Sequence, residues 1–199
     1  AGADLAALER IADASLAENL ADAESLGQIF LQLRAMRKPV VALVRGRALA
    51  GGCGLATACD LVLCRDDAQL GYPEVNLGFV PAMVMTILRR KLGEGQAFEL
   101  LVGGWRINAA EAERMALVQR VFPEAAFENE VWDYLADLAK RPPSAVRLSK
   151  RLLYGLDTVG FEEGIARGAE MNALARLTDA CREGVRQFLQ RARERQEKR

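Results

Sequence analysis

A glycine turn between two continuous apolar segments constrains the fold most strongly. Residues 40–44 and 60–64 are rich in valine and leucine, and residues 53–59 between them favour a short helix that follows Ala50-Gly51-Gly52. Continuous apolar runs of this kind are typical of strands buried on both faces in a parallel sheet. The order of strand, glycine turn, helix and strand predicts a βαβ unit. In such a unit the helix N-terminus lies beside the C-terminal end of the first strand.

Apolar periodicity predicts helices on both sides of this unit. Between residues 19 and 37 the apolar residues recur mostly at three- and four-residue steps, and Pro39 follows. That spacing indicates one face of a helix, which the proline ends. Residues 79–92 predict a second, buried helix with a basic C-terminal end, which suits the negative end of the helix dipole.

The second half of the chain is predicted to change from mixed to helical structure. Asn108 and Glu111 have the spacing of a capping box, and residues 117–122 predict a short strand. After Pro143 the pattern is helical throughout. We therefore expect an α/β core over residues 1–142 and a helical region over residues 143–199.

Composition and charge exclude several function classes. The chain has 199 residues, of which 51% are hydrophobic, so it is not disordered. Its 27 basic and 27 acidic residues balance, which provides no field for nucleic acid or an anionic membrane. It contains no histidine, which removes Ser-His-Asp and Cys-His nucleophiles and imidazole metal sites. Carboxylates, thiols, lysines and backbone dipoles remain for any chemistry.

The four cysteines predict free thiols rather than a disulfide framework or a metal site. None forms a C-x-x-C pair, and Cys53, Cys59 and Cys64 lie within apolar stretches. A cysteine in such surroundings is usually a small buried hydrophobic residue. Together with the lack of an apolar leader, this usage predicts a reducing, cytoplasmic environment.

Two features are candidates for chemistry. Gly51 and Gly52 lie where a strand meets a helix, so their N–H groups favour an anion, although a plain tight turn explains the pattern equally well. The glycines match no nucleotide-binding fingerprint. Glu74 lies in an otherwise apolar segment, where desolvation raises a carboxyl pKa and suits proton transfer. Taken alone, such a glutamate is more often a surface or capping residue.

The ordered set of motifs resembles one family over essentially the whole chain. The segments that carry the resemblance are Ala1-Gly2-Ala3-Asp4-Leu5, residues 38–42, residues 46–56, Cys59-Asp60, residues 71–75, residues 77–81, Gly103 with residues 106–109, Glu111-Ala112, Leu117-Val118, Pro143 and Glu183-Gly184 with Phe188. They are similar to the crotonase superfamily of enoyl-CoA hydratases and isomerases. The resemblance implies a ClpP/crotonase-like ββα spiral core with a C-terminal helical appendage.

The resemblance also implies the roles of individual residues. The backbone N–H groups of Ala3 and Gly51 would bind the thioester oxygen, and Glu74 would move the proton. Coenzyme A thioester binding would involve Ala1, Gly2, Asp4, Leu49, Gly52, Phe188 and Arg191. The site would need no metal and no cofactor other than the coenzyme A of the substrate. Ala6 stands where the family often has a lysine that faces coenzyme A.

Gly54 departs from the hydratase pattern. Hydratases of the family carry a second glutamate at this position, which activates water. One carboxylate suffices to move a proton between C2 and C4, so we expect double-bond isomerisation. Hydration stays open if another carboxylate, such as Asp66 or Asp67, takes over, and so does a non-catalytic acyl-CoA binding role. A Clp-type peptidase shares the spiral architecture but requires the absent histidine.

The two ends of the chain carry further expectations. The sequence begins inside the A-G-A-D motif, so we expect a fragment that lacks an N-terminal part of the fold. In the family the helical region packs subunits together, which implies a homotrimer or a dimer of trimers. No nucleic-acid or membrane partner is expected.

Overall fold

The computed structural model describes residues 9, 11 and 13–197, which form two compact units. The first unit comprises the described residues up to Met36 together with Val40–Tyr134. The second comprises Arg37–Pro39 and the described residues from Leu135 onward.

Short strands alternate with helices in the first unit. Its elements in chain order are α1 (Leu16–Ala35), β1 (Val41–Val44), β2 (Arg47–Leu49), α2 (Gly51–Ala58), β3 (Leu61–Arg65), β4 (Gln69–Gly71), a 3-10 turn (Pro73–Leu77), α3 (Ala82–Lys91), α4 (Glu94–Gly103), β5 (Arg106–Asn108), α5 (Ala109–Arg114), β6 (Arg120–Phe122) and a 3-10 turn (Glu124–Ala126). Helix α6 (Phe127–Ala139) begins in this unit and ends in the second.

Capping boxes begin two of the helices. The predicted box at α5 is confirmed: the Glu111 N–H donates to Asn108 Oδ1 at 2.8 Å, and the Asn108 N–H donates to Glu111 Oε2 at 2.9 Å. Ser15 and Glu18 form the same reciprocal bonds ahead of α1. Helix α1 therefore begins at Leu16, three residues before the predicted start, because the box satisfies the free N–H groups of its first turn.

The strands form two three-stranded sheets. One has the order β1-β3-β6 with parallel pairs, and Val41 pairs with Leu61. The other has the order β2-β4-β5, in which β2 and β4 are parallel and β4 and β5 antiparallel. The parallel β1–β3 pair of the predicted βαβ unit is confirmed.

The predicted position of the α2 N-terminus beside the end of β1 is wrong. The chain turns at Gly46, whose φ of +64° lies in the left-handed region that favours glycine. It then forms β2, which pairs with β4 in the second sheet, before α2 begins. The helix N-terminus accordingly follows β2.

The core of the first unit contains apolar side chains from both sheets and the helices packed on them. The largest side chains with less than 2% exposure include Tyr72, Phe127, Leu63, Leu70, Leu88, Leu100 and Leu117. Complete burial of each aliphatic side chain stabilises the fold by about 1.5–3 kcal/mol relative to exposure. Thr57 is the buried polar residue among the described ones, and it lies on α2.

Two predicted elements are shorter than expected. Helix α3 begins at Ala82 because Pro81 occupies the N-cap, and Phe79 and Val80 precede it as exposed residues. The predicted strand over residues 117–122 is formed only from Arg120. Ala116 has a φ of 62°, and the N–H groups of Leu117 and Val118 both donate to the Ala112 carbonyl. The pair is buried in a turn, so its apolar character reflects burial rather than strand pairing.

The second unit is helical, as predicted. It contains α7 (Pro143–Gly155), a 3-10 turn (Leu156–Thr158), α8 (Phe161–Arg176) and α9 (Asp179–Glu197). Neither α7 nor α8 has a buried residue, and Phe161 and Phe188 are 84% and 71% exposed. Within the described ranges no helix combines the length and apolar character needed to cross a bilayer.

Candidate active site

Parallel pairing of β2 and β4 brings two segments to one edge of the second sheet. Leu49, the last residue of β2, pairs with Gly71, the last residue of β4. The Ala50 N–H donates to the Gly71 carbonyl at 2.9 Å and extends the pairing beyond the strands. Gly51 follows one strand and Glu74 follows the other, so the two candidate segments leave the sheet at the same edge.

The N-terminus of α2 provides free N–H groups at this edge. The Gly54 N–H donates to the Ala50 carbonyl at 2.9 Å and is the first to bond within the helix. The N–H groups of Gly51 and Gly52 therefore have no acceptor inside α2, and the helix dipole adds positive potential there. A Cβ atom built on Gly51 would meet no described atom within 4 Å. This end of α2 is thus suited to an anionic or polarised oxygen.

Glu74 presents a carboxyl group that the described residues leave partly unsatisfied. It lies in the 3-10 turn Pro73–Leu77, and its carbonyl accepts from the N–H groups of Gly78 and Phe79. Its Oε2 atom is buried and has no hydrogen-bond partner among the described residues. Desolvation raises the pKa of this carboxyl, opposed only by its own backbone N–H. A carboxyl group with a raised pKa is suited to both accepting and returning a proton.

Close packing holds the segment that carries Glu74. Asn76 Nδ2 donates to the Gly104 carbonyl at 3.0 Å. Gly104 ends α4 with a φ of +64°, and a Cβ atom there would lie 2.6 Å from Val75 Cγ1. Only glycine both adopts this positive φ readily and leaves room for Val75. The 3-10 turn therefore packs directly against the end of α4.

The first turn of α2 packs tightly where a second carboxylate would stand. A Cβ atom on Gly54 would lie 2.7 Å from Val84 Cγ1 and 3.5 Å from Phe30 Cζ. Real Cβ atoms essentially never approach a neighbour as closely as 2.7 Å, so any side chain at position 54 forces Val84 to move. Helices α1 and α3 thus occupy the space beside Gly54 with apolar atoms.

The two aspartates considered as substitutes lie elsewhere. Asp67 lies two residues before the start of β4, and its Oδ1 accepts from the N–H of Gly46, which precedes β2, at 3.4 Å. Strand β4 then runs from this end of the sheet to Gly71 before the chain reaches Glu74. Arg65 donates to both carboxylate oxygens of Asp67 and lowers its pKa. Asp66 is its neighbour in the chain, so neither provides a second carboxylate at the Glu74 edge.

Two of the buried cysteines, Cys53 and Cys64, are inert thiols near neutral pH. Cys53, Cys59 and Cys64 are buried and form no disulfide among the described residues, as predicted. Burial raises the pKa of Cys53 to about 11 and that of Cys64 to about 12. The reactive form of a cysteine is the thiolate. These values leave both side chains protonated, so they do not provide a nucleophile.

The remaining sequence-predicted residues divide into three groups. Leu49 is buried at the end of β2 and Gly52 is the second residue of α2, so both lie at the edge described above. Phe188 and Arg191 lie on α9 of the second unit with exposed side chains. The residues Ala1, Gly2, Ala3 and Asp4 lie outside the described residues. Sequence reasoning missed a buried pair, Tyr72 and Thr57, whose hydroxyl oxygens are 2.8 Å apart.

Comparison with known proteins identifies the family of this arrangement. The family model for enoyl-CoA hydratase/isomerase matches residues 1–198. A Thermus thermophilus protein named "Putative enoyl-CoA hydratase" is 42% identical over 96% of this chain and 76% of its own length. The 2,3-dehydroadipyl-CoA hydratase of Escherichia coli is 33% identical over 96% of this chain and 73% of its own. The crotonyl-CoA hydratase of Syntrophomonas wolfei is 35% identical over the same shares.

Solved structures confirm the predicted fold. The enoyl-CoA hydratase of Mycobacterium smegmatis superposes with a TM-score of 0.90 at 29% identity, covering 96% of this chain and 74% of that one. The enoyl-CoA hydratase of Polaromonas gives 0.89 at 26% identity, with 96% and 75% covered. The α/β crotonase fold expected from the sequence motifs is therefore the fold of this chain.

Proposed function

The chain belongs to the enoyl-CoA hydratase/isomerase family, and we propose that within this family it moves the double bond of an enoyl-CoA thioester with Glu74 as the single proton-transferring carboxylate. The observation that carries this proposal is the packing at Gly54. Position 54 is where the family's hydratases place a second glutamate, and here Val84 and Phe30 occupy the space beside a glycine. A site with one carboxylate supports proton transfer more readily than activation of water.

The proposed reaction balances with one carboxylate. Glu74 removes a proton from C2 of a 3-enoyl-CoA, and the electron pair delocalises through the C3–C4 double bond and the thioester carbonyl. The resulting dienolate carries its negative charge on the thioester oxygen. Glu74 then returns the proton to C4, which leaves the double bond between C2 and C3. The same group accepts and donates the proton, so the enzyme is regenerated without another reactant.

Backbone N–H groups stabilise the charge on the thioester oxygen in this proposal. The Gly51 N–H is one donor, and its position at the α2 N-terminus adds the helix dipole. The family resemblance assigns the second donor to Ala3. Donors preorganised at a developing oxyanion each contribute about 3–4 kcal/mol to lowering the barrier. In this proposal the reaction uses these groups, Glu74 and the enoyl-CoA substrate itself, with no further reactant.

Apolar packing beside the reacting carbons supports isomerisation further. Val84 and Phe30 supply no group that orients water near Gly54. Exclusion of water from the acyl site protects the dienolate from side reactions. It also maintains the desolvation that raises the pKa of Glu74.

Hydration is the second candidate, because the named relatives are hydratases. It requires addition of water to C3 of a 2-enoyl-CoA and therefore a group that deprotonates that water. A non-catalytic acyl-CoA binder is the third, motivated by the missing second carboxylate. The three candidates predict different products: a shifted double bond, a 3-hydroxyacyl-CoA, or none.

The decisive experiment assays both reactions with one matched pair of variants. Purified protein is incubated with a 3-enoyl-CoA and with a 2-enoyl-CoA, and the products are separated by chromatography. Isomerisation is expected, and Glu74→Gln should reduce kcat by about 10²–10⁴-fold. Glu99→Gln, a change to an exposed carboxylate on α4, should leave the rate unchanged. Formation of 3-hydroxyacyl-CoA alone, or full isomerisation by Glu74→Gln, would refute the mechanism.

We also propose that the protein works as a homotrimer or a dimer of trimers. The support is the exposure of large apolar side chains on α8 and α9, namely Phe161, Ile165, Leu174 and Phe188. Single exposed apolar residues are common, but an accumulation on neighbouring helices is typical of an interface. Phe188 and Arg191 would contact coenzyme A bound to a neighbouring subunit. Light scattering at micromolar concentration is expected to give the mass of three or six chains, and a monomer would contradict this.

A further inference from the structure

Glu74 depends on its backbone for its position. Its Oε2 atom has no hydrogen-bond partner among the described residues, and its own N–H is the donor that acts on the carboxyl. A proton-transferring group must nevertheless stay close to the line between the two carbons that it serves. The constraint therefore has to come from the chain on either side of Glu74.

Tyr72 lies two residues before Glu74 and is completely buried. Pro73 stands between them and fixes one backbone dihedral angle of that short connection. The hydroxyl oxygen of Tyr72 is 2.8 Å from Thr57 Oγ1, which lies on α2 and is also completely buried. This hydrogen bond joins the Glu74 segment to the helix whose N-terminus carries Gly51.

The direction of the hydrogen bonds follows from the number of protons available. Thr57 Oγ1 lies 2.9 Å from the Cys53 carbonyl and 3.2 Å from the Gly54 carbonyl, and carbonyls only accept. The single hydroxyl proton of Thr57 is thus used within α2, so Tyr72 donates to Thr57. The Cys53 thiol also interacts with the Tyr72 hydroxyl. Through Cys53, the Tyr72 hydroxyl therefore also contacts the first turn of α2, which contains Gly51 and Gly54.

We propose that Tyr72 and Thr57 are positioning residues that hold the Glu74 segment at a fixed place relative to the first turn of α2. This proposal rests on the function proposed above, because it takes Glu74 as the proton-transferring group. Neither hydroxyl touches the substrate. Their hydrogen bond fixes the separation between the carboxylate and the N–H donor of Gly51, which backbone pairing at Gly71 alone leaves adjustable.

Tyr72→Phe is the main test, because it removes one oxygen atom and keeps the ring. Thr57 retains its hydrogen bond to the α2 carbonyls, and the group that loses a contact besides Thr57 is the Cys53 thiol, which is only a weak hydrogen-bonding group. We expect kcat to fall by about tenfold, since small displacements of a catalytic group have large effects on rate. KM should stay within about twofold of the wild-type value, because the coenzyme A contacts are untouched. A merely structural role would not separate kcat from KM in this way.

Variants of Thr57 complete a double-mutant cycle. Thr57→Val keeps the shape of the side chain and should lower kcat as much as Tyr72→Phe does. The double variant Tyr72→Phe/Thr57→Val should be no worse than either single variant, because both remove the same hydrogen bond. Thr57→Ser keeps the hydroxyl and should retain most of the wild-type kcat. Additive losses in the double variant would contradict the proposal.

A destabilised control separates positioning from general loosening of the fold. Val131→Ala shortens a buried side chain of α6 that takes no part in the site, so it should lower Tm without changing kcat. A wild-type kcat in Tyr72→Phe overturns the positioning role when Glu74→Gln is inactive in the same assay. Full activity in Glu74→Gln instead overturns the proposed function. The two failures are therefore distinguishable.

Discussion

Positions 54 and 74 lie close to the same sheet edge but have opposite environments. Glu74 keeps a carboxyl group whose Oε2 atom is buried without a described partner. Gly54 has no side chain, and a Cβ atom added there would meet Val84 Cγ1 at 2.7 Å. Position 74 carries a desolvated carboxyl group with a raised pKa, and the space beside position 54 is closed by apolar packing.

Gly54 is part of the packing of α2 against α3 rather than an empty place. If Gly54 merely lacked its glutamate, open space would remain beside it, as it does beside Gly51. Val84 instead contacts the α2 surface and is buried. The packing at Gly54 thus involves at least two helices, and we expect that a glutamate introduced at position 54 alone would not produce a hydratase site.

The largest effect is expected for Gly54→Glu. Overpacking against Val84 and burial of a carboxyl group together should lower the free energy of unfolding by about 3 kcal/mol or more. Urea denaturation measures this loss, and the assay of 2-enoyl-CoA should show no new hydration. A stable variant that forms 3-hydroxyacyl-CoA would show that the space beside Gly54 is not closed.

A smaller loss is expected for Gly54→Ala, which isolates the steric part. Alanine normally stabilises a helix interior by about 1 kcal/mol relative to glycine. The contact with Val84 should reverse this sign and destabilise the protein by about 1–3 kcal/mol. Gly184→Ala is the matched control, because no described atom lies within 4 Å of a Cβ atom at that position of α9. It should stabilise the protein.

The same steric contact predicts a rescue. Val84→Ala removes the methyl groups that the new Cβ atom would meet, so Gly54→Ala should be less harmful in its presence. The coupling energy between the two changes is expected to be about 1 kcal/mol in the favourable direction. If the effects of the two changes on the free energy of unfolding are strictly additive, the new Cβ atom is accommodated by separation of α2 and α3 and not by movement of the Val84 side chain. Thermal or urea unfolding measures this.

Ala50 permits a test at the start of α2. Its φ of 51° and ψ of −128° lie in a region that side chains rarely adopt. Ala50→Gly should therefore raise the free energy of unfolding by about 1 kcal/mol, since relief of strain outweighs the entropy that glycine loses. Thermal unfolding measures the change. A lower Tm would show that the conformation of Ala50 carries no strain.

The smallest effect is expected in the pH dependence of stability. Because burial raises the pKa of Glu74, the folded state holds this proton more tightly than the unfolded state. The resulting stabilisation is complete below the ordinary value of 4.5 and is lost as the pH rises through the folded pKa. Wild-type protein should therefore lose stability relative to Glu74→Gln as the pH rises above the ordinary value of 4.5. If urea denaturation showed that the free energy of unfolding of wild-type protein rises with pH relative to Glu74→Gln, desolvation of the Glu74 carboxyl group would be contradicted.

The sequence predicts the parts of the fold that have long patterns. The continuous apolar segments of β1 and β3 and the spacing along α1 all place elements to within a few residues. Strands β2, β4 and β5 have three residues each, which is too short for a period to be visible. Ser15 and Glu18 have the spacing of a capping box in the sequence, and this spacing indicates that α1 starts directly after Ser15.

The site is predictable only where its chemistry depends on residue type. The resemblance singles out Glu74 and Gly54, and the glycine pair marks the α2 N-terminus. The Tyr72–Thr57 hydrogen bond joins residues that lie 15 positions apart, and no local pattern signals it. Contacts of Val84 with α2 depend likewise on how α3 packs. These features arise from tertiary structure, which residue spacing along the chain does not encode.

The register of β2 and β4 sets how many residues separate each strand end from the candidate site. Leu49 and Gly71 are partners, so the chain travels two residues to Gly51 on one side and three to Glu74 on the other. Substitutions leave these two lengths intact, whereas one residue inserted after Gly71 would change one of them and keep every side chain. We therefore expect that substitutions around the site are tolerated more readily than insertions or deletions between these strand ends and the proposed catalytic positions.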